Sequence, residues 1–571
     1  MSTTPEVEVA SSGLDRVSVH ALQPEIIIIG AGVIGCALAY SLSASGREVV
    51  VLERDLSEPD RIVGELLQPG GVAALESLGM ADVLEGIDAV PVEGYCIVSG
   101  EDQVGCPYPL LEEMAGLHKD KQPSQDKEDE LNAYIDKKGK WHVDSQSGKK
   151  EGRSFHHGKL ISSLRKKILN TPRVTVLEAT VKDLVFCEHT NRVIGVSASF
   201  KPALSQTSTS TSSNSNSDDT PTQDSGSPAL VRKLYAPITI IADGCFSKFR
   251  LTPGMRTPKP VTRSHFVGII LEDCKLPIPN MGTVCLTPSG PVLLYQIGRA
   301  KGEVRMLVDV KGKLPSVGDG SLRRHIETQY VPHLPSSLQP SVLSALANQR
   351  IRSMPNTFLP PALQGVANSL SGAILVGDAY NMRHPLTGGG MTVAFNDAVI
   401  LSKYLKPSPD LPQGREGLED WDRISEILKI WFWERKRLSG VVNVLSMALY
   451  SLFGGADEPE LEVLREGCVK YLGMGGERVA GPVGLLSALT PAPFMLFYHF
   501  FSVAFYSIFL LLIKGPPGSS FRSNGKDSGK GSTLNPLMVV LTLPLNLIYS
   551  IKVFWTACVV LLPVIYTEFK V

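Results

Sequence analysis

Apolar positions fall into distinct regimes along the chain. In the first two thirds they form short runs, Glu25–Ile29, Glu48–Leu52, Val174–Leu177, Ile238–Ile241 and Ala373–Val376, each soon followed by Gly or an acidic residue. Runs this short and this rich in Ile and Val predict strands buried on both faces. Cys36–Ser45, between the first two, carries small residues in a helical pattern, and the three together predict a β-α-β unit. Phe266–Ile270, Val292–Gln296 and Val304–Val308 predict further strands in a separate sheet. The C-terminal third differs: Pro491–Ile513 holds no charged residue and Asn535–Tyr566 only Lys552. About 20 residues rising 1.5 Å each cross a bilayer core, so both stretches predict membrane helices.

Polar runs interrupt this pattern. Lys119–Lys150 and Ser205–Ser227 lack the apolar surface to offset their ordering entropy and predict surface insertions, the second disordered. The loop Gly515–Ser532 and its flank carry Lys514, Arg522, Lys526 and Lys530 against Asp527. Two full crossings would place those cations in the lumen, against the positive-inside tendency. The apolar pair therefore predicts a hairpin embedded from one face, with Pro544 breaking its second helix.

At 571 residues the chain exceeds one hydrophobic core and predicts two or three structural units. Its 56 basic and 57 acidic residues leave a net charge of −1, which excludes nucleic acid as an electrostatic partner. Nine cysteines without a CxxC pair exclude a disulfide framework and leave no metal site to expect. Residues 1–23 lack the apolar core and cleavage site of a secretory signal, so the N-terminal bulk is expected in the cytosol.

Ile26–Ile29 opens into Gly30-Ala31-Gly32-Val33-Ile34-Gly35, a GxGxxG turn between strand and helix. Gly30 permits the tight turn, Gly32 lets the backbone approach a pyrophosphate, and Gly35 permits close helix packing. Glu53, closing the next strand, suits a ribose diol. A second element selects the dinucleotide: Ala373–Val376, Gly377-Asp378, then His384–Met391 (HPLTGGGM) and a helix with Asn396 and Asp397. Asp378 can take up ribityl hydroxyls, which FAD has and NAD lacks. The turn through Gly389 and Met391 points backbone amides at the flavin edge that gains negative charge on reduction. A third element, Ile241–Ser247 (IADGCFS), resembles the DG motif of flavin hydroxylases.

These strings resemble the squalene monooxygenase (squalene epoxidase) family, its fungal form in particular. The likeness rests on Val51–Gly71, Gly152–Arg165, Ile241–Arg250 and Gly377–Asp397, and runs from about Pro24 to the C-terminus between the two insertions. It implies an α/β (α+β) flavin monooxygenase fold: a discontinuous Rossmann-like FAD domain, an antiparallel-sheet substrate domain and a C-terminal helical membrane hairpin. The expected boundaries are 24–100, 151–255 and 366–430 for the FAD domain, 101–150 and 256–365 for the substrate domain, and 431–571 for the helical region. Within that region the hairpin is expected at about 491–513 and 535–566.

The resemblance implies FAD contacts from Glu53, Arg54, Arg61, Arg165, Val181, Asp378, Gly389 and Met391, beside the Gly30–Gly35 turn. Guanidinium groups such as Arg61 and Arg165 suit phosphate. It also implies epoxidation of squalene to (3S)-2,3-oxidosqualene with O2 in ergosterol synthesis. NADPH-cytochrome P450 reductase is the electron donor the resemblance implies, and the sequence offers no convincing second nucleotide fold for NADPH. Tyr95 and Gln68 are expected to hydrogen-bond and orient cofactor and substrate, since a phenol is a poor base near neutrality. His384 reads as a turn histidine with satisfied hydrogen bonds rather than a proton donor. Phe266, Leu294, Leu438–Phe453, Phe494, His499 and Phe500 are expected to line an apolar pocket entered from membrane lipid. The implied location is the endoplasmic reticulum membrane, catalytic part to the cytosol, with lipid droplets a second site. Two other readings share the nucleotide elements: a flavin hydroxylase of aromatic or quinone precursors, and a non-redox prenyl escort like the Rab GDP-dissociation inhibitors.

Overall fold

A computed structural model describes residues 22–62, 64–100, 102–110, 150–200, 230–299, 302–454, 458–514 and 536–570. The expected insertion 119–150 apart from Lys150, the insertion 205–227 and the 515–532 loop lie outside the described residues.

The five short apolar runs meet in one seven-stranded sheet. Its order is Leu230–Tyr235, Val193–Phe200, Val174–Phe186, Val49–Glu53, Ile26–Ile29, Ile238–Ile241, Ala373–Leu375. The last four are parallel to one another, and Val174–Phe186 joins them in parallel before turning into an antiparallel edge. Ile26–Ile29 is buried throughout, as a parallel strand covered on both faces must be. Helices Val33–Ala44 and Gly390–Leu405 pack together against this sheet.

One buried cation joins the two distant halves of the unit. Arg47 pairs with Glu25 at 2.6 Å and donates to the carbonyls of Leu405, Leu411 and Pro412, while Gly414 N donates to the same carboxylate. All three guanidinium nitrogens and both carboxylate oxygens are engaged, which lets a fully buried ion pair persist.

The second seven-stranded sheet runs Arg352–Phe358, Val261–Leu271, Val304–Lys311, Gly290–Gln296, Met281–Thr287, Gly94–Ser99, Asp102–Pro107. All its pairs are antiparallel except Met281–Thr287 with Gly94–Ser99. The chain therefore enters this sheet at Gly94, ahead of the boundary expected at residue 100. One face is covered by helices Ser321–Gln329 and Gln339–Asn348, through Leu322, Ile326, Val342 and Leu346. The other, with Ile97, Leu293 and Tyr295, looks toward the C-terminal helices.

Those helices begin at Trp421, earlier than the expected boundary at 431, because Trp421–Gly454 is one unbroken element. Three helices among the described residues are long and apolar enough to cross a membrane. The apolar window of Trp421–Gly454 is 67% buried, so protein already covers it; the windows of Pro493–Ile513 and Asn546–Phe569 are only 28% and 22% buried. The last two helices pack on each other and leave Phe505, Phe509, Ile551, Trp555 and Leu562 exposed. An exposed apolar surface of that extent requires a lipid or protein cover. Pro544 does not break the second helix, which runs continuously from Pro536 to Phe569. Proline removes a single i→i−4 bond, and in an apolar setting the remaining backbone groups have no better partners than one another.

Candidate active site

The first half of the site lies where Ile26–Ile29 turns into Val33–Ala44. Gly30 has φ +104°, and a Cβ there would lie 2.6 Å from the Ala242 carbonyl oxygen. A Cβ at Gly35 would lie 2.0 Å from the Gly30 carbonyl oxygen, so glycine is required at both. At Gly32 the situation is reversed: a Cβ would have no heavy atom within 4 Å. Open space above a helix N-terminus, ringed by backbone amides, is a cradle of pyrophosphate chemistry. Glu53 Oε2 accepts from Ala31 N at 2.7 Å and Oε1 from Asp55 N at 3.2 Å, which places the carboxylate beside the turn.

Arg165 is buried and already engaged. Its Nε donates to Ala31 O at 3.0 Å, one terminal nitrogen to Ser57 O at 2.8 Å, and the other lies 3.5 Å from Glu53. It braces the turn from behind. Arg54 and Arg61 are exposed, Val181 is buried in the first sheet's core, and Val33 and Ile34 open the helix.

The second half lies one strand pair away. Gly377 has φ +59°, and a Cβ there would meet Ile34 at 2.8 Å, so the two halves pack directly. Arg250, in the third string, donates to the carbonyls of Gly244, Cys245, Asp378 and Ala379 and so ties the Asp-Gly loop to the Gly-Asp loop. The Asp378 side chain opens into the cleft yet stands deep among protein atoms. That desolvation raises its pKa above the ordinary carboxylate value, against the pull of Arg383, Arg61 and Arg250. Gly388 at φ +63° lets the chain pass Leu66 and Gln68 before the helix that carries Met391. Gly389 sits under Val442, 2.5 Å from where its Cβ would be.

Gln68 holds this turn by donating from Nε2 to Thr387 O at 2.8 Å. Burial raises the pKa of the Tyr95 hydroxyl, while Tyr108 and the expected partner Gln68 beside it oppose that rise; Tyr108 makes the close bond, donating to Gln68 Oε1 at 2.7 Å. Tyr108 crosses Tyr95 edge-on with centroids 5.7 Å apart. The carbonyl of Thr387 and the amide of Gln68 are thus fixed through Tyr108, a residue the linear pattern did not single out. Glu65, next to this segment, is clamped by Arg305 at 2.8 and 2.9 Å.

His384 is a satisfied turn histidine. Its Nδ1 accepts from Leu386 N at 3.3 Å, Nε2 contacts Ser264 Oγ at 3.1 Å, and the ring stacks on Tyr450 with centroids 3.9 Å apart. Burial lowers its pKa, with Asp309 opposing, so it stays neutral near pH 7.

A cavity with an empty volume of about 1230 Å³, counting the part open to solvent, starts at Tyr95, Leu386 and Thr387 beside the glycine turn. It ends between the C-terminal helices at Ala557 and Val560, and among the described residues no charged one lines it. His499, Phe500 and the segment Leu445–Phe453 contribute to its wall. Three expected lining residues do not. Leu294 points to the opposite face of its sheet, where it packs with Val267 and Val308, because strand neighbours alternate. Phe266 packs edge-on against His384, behind the wall. Phe494 is 89% exposed on the outer side of its helix.

Within this geometry FAD fits. The open cradle over Gly32 suits the pyrophosphate, Glu53 the adenosine ribose and Asp378 the ribityl chain, and the Gly388–Gly390 turn would lie toward the ring. Asp378→Ala is expected to weaken FAD retention about tenfold to a hundredfold, the scale of one charge-assisted hydrogen bond. Full flavin occupancy in the purified variant would remove Asp378 from that role.

This fold and site define an FAD-dependent monooxygenase. A family model described as FAD dependent oxidoreductase matches residues 25–59. Solved structures share the fold at low identity. The probable FAD-dependent monooxygenase pqsL of Pseudomonas aeruginosa has TM-score 0.51 and 17% identity, covering 76% of this chain and 98% of its own. The p-nitrophenol 4-monooxygenase PnpA of Pseudomonas putida has TM-score 0.56 and 14% identity, covering 82% and 98%.

More specifically, the squalene epoxidase family model matches residues 235–522. Squalene epoxidase erg1 of Aspergillus fumigatus is 40% identical over 100% of this chain and 99% of its own. The Schizosaccharomyces pombe erg1 protein is 39% identical over 95% and 98%, and the Mus musculus squalene monooxygenase 39% over 96% and 78%. The chain belongs to the squalene epoxidase family.

Proposed function

We propose that this protein epoxidises squalene to (3S)-2,3-oxidosqualene with O2, as a step of sterol synthesis leading to ergosterol. The observation that carries this reading is the uncharged cavity running from the glycine turn to the C-terminal helices. A C30 hydrocarbon has no polar group to anchor, so shape and exclusion of water must hold it, and an apolar passage supplies both. The bound cofactor, once reduced, supplies activated oxygen to the alkene. The chain's own residues bind, orient and keep water out. Gln68 and Tyr108 fix the Thr387 carbonyl at the cavity's inner end, and Tyr95 presents its ring there. His499 and Phe500 would contact the hydrocarbon further along.

The two exposed C-terminal helices would embed in the endoplasmic reticulum membrane from its cytosolic face, with lipid droplets a second location. Substrate then enters from lipid, where it resides. Electrons from NADPH would arrive through NADPH-cytochrome P450 reductase meeting the catalytic part at the membrane surface.

A chain ending before Pro491 is expected to leave the microsomal pellet and to lose squalene turnover, because it discards the wall formed by Leu496, His499, Phe500 and Ala557. Unchanged sedimentation would count against embedding by these helices.

A further inference from the structure

A chain of buried polar side chains links the far end of the last apolar helix to the cofactor turn. Glu568, on the last turn of Pro536–Phe569, is 5% exposed. Its Oε1 accepts from Asn443 Nδ2 at 2.8 Å and its Oε2 from Lys436 Nζ at 2.7 Å. Asn443, fully buried on the Trp421–Gly454 helix, accepts on Oδ1 from Arg383 Nε at 2.6 Å. Arg383 in turn donates to Asn381 Oδ1 at 2.7 Å and reaches the Gly390 carbonyl at 3.4 Å, at the start of the helix behind the glycine turn. Arg435 closes the group, donating to Asn381 Oδ1 at 3.2 Å and to both oxygens of Asp397 at 2.9 and 2.7 Å.

The chemistry gives this arrangement a direction. The Asn443 amide can face Arg383 only with its oxygen, so its nitrogen must point away, toward Glu568 and Asn381. A carboxylate at 568 therefore fixes the amide, and the amide fixes the guanidinium. Charge favours the same contact: Arg383 and Arg435 are buried cations and Lys436 a half-buried one, and Asp397 and Glu568 are the carboxylates bonded within the group. Arg383 is also offset by Asp378, so loss of Glu568 would remove one of three carboxylates that balance the three cations.

We infer that Glu568 is a positioning residue for the flavin pocket, acting through Asn443 on Arg383 and the Gly388–Gly390 turn. Seating of the last apolar helix and shaping of the cofactor site are then one event. The coupling to the membrane rests on the reading of that helix as embedded; the relay from Glu568 to Arg383 does not.

The test is FAD affinity, read by flavin fluorescence, in the detergent-solubilised full chain with apoprotein as starting material. Glu568→Ala is expected to weaken FAD binding about tenfold, on the scale of one charge-assisted hydrogen bond. Glu568→Gln, which still accepts from Asn443, is expected to recover most of that loss. Asn443→Ala should match Glu568→Ala, and the double variant should be no weaker than either, because both act along one relay. Microsomal sedimentation of Glu568→Ala should match the wild type, which separates this test from failure of the membrane reading. Unchanged FAD affinity in Glu568→Ala, or losses that add in the double variant, would overturn the inference. If Glu568→Ala does not fold, Asn443→Ala alone decides: tenfold weaker FAD binding supports the relay, and unchanged binding overturns it.

Discussion

Gly32→Val is expected to yield a folded protein that no longer retains FAD. A Cβ at this position has no heavy atom within 4 Å, so the apoprotein has room for a valine. That room, above the first amides of Val33–Ala44, is where the proposed site would hold the pyrophosphate. Displacing the diphosphate forfeits several charge-assisted hydrogen bonds of about 1.5–3 kcal/mol each, a loss of at least about a hundredfold in affinity. Gly35→Val is the contrasting control: its Cβ would collide with the Gly30 carbonyl at 2.0 Å, so this variant should fail to fold. Flavin absorbance near 450 nm and melting of the apoprotein distinguish them. A yellow Gly32→Val protein with normal FAD content would show that the cofactor does not lie over this turn.

Ala448→Trp should separate cofactor from substrate. Ala448 is buried on the Trp421–Gly454 helix and faces the uncharged cavity between its inner end and the C-terminal helices. An indole there fills the passage at an overpacking cost of about 1–3 kcal/mol, which a large empty volume absorbs in part. FAD content and membrane binding should be retained while oxidosqualene formation falls by at least about a hundredfold. Electrons taken from NADPH should then appear as hydrogen peroxide, since no alkene is held to receive the oxygen. Squalene turnover within a few-fold of wild type would mean that the substrate travels by another route.

The parts of this structure carried by local pattern were legible in the linear chain. Each of the five apolar runs became a strand of the first sheet, with bounds shifted by at most one residue except where Val174–Phe186 extends into the antiparallel edge. The spacing of Gly30, Gly32 and Gly35 announces the turn by itself, although the atom that a Cβ at Gly30 would strike belongs to Ala242, far along the chain. What could not be read depends on partners far along the chain. Tyr95 and Tyr108 are both aromatic residues in neighbouring strand-like segments, and only the paired strands decide which hydroxyl makes the close bond to Gln68. Leu294 lies between Leu293 and Tyr295 in a strand buried on both faces, where apolar pattern gives no sign of which face meets the cavity.

Arg47 gave no signal as the fastener between residues 25 and 405–414, because arginine is ordinarily exposed. Glu568 and Asn443 are silent for a related reason. A single polar residue near a helix end or inside an apolar helix is ambiguous until its partners are placed. Phe494 shows the converse: a large aromatic on a membrane helix faces lipid as readily as substrate, and its helix turns it outward.

The most direct test of the central claim is product analysis with the purified full chain, NADPH, NADPH-cytochrome P450 reductase, squalene and ¹⁸O2. The account predicts (3S)-2,3-oxidosqualene carrying one labelled oxygen, formed only with FAD present. Reduction of the flavin and consumption of O2 without any labelled epoxide would contradict it.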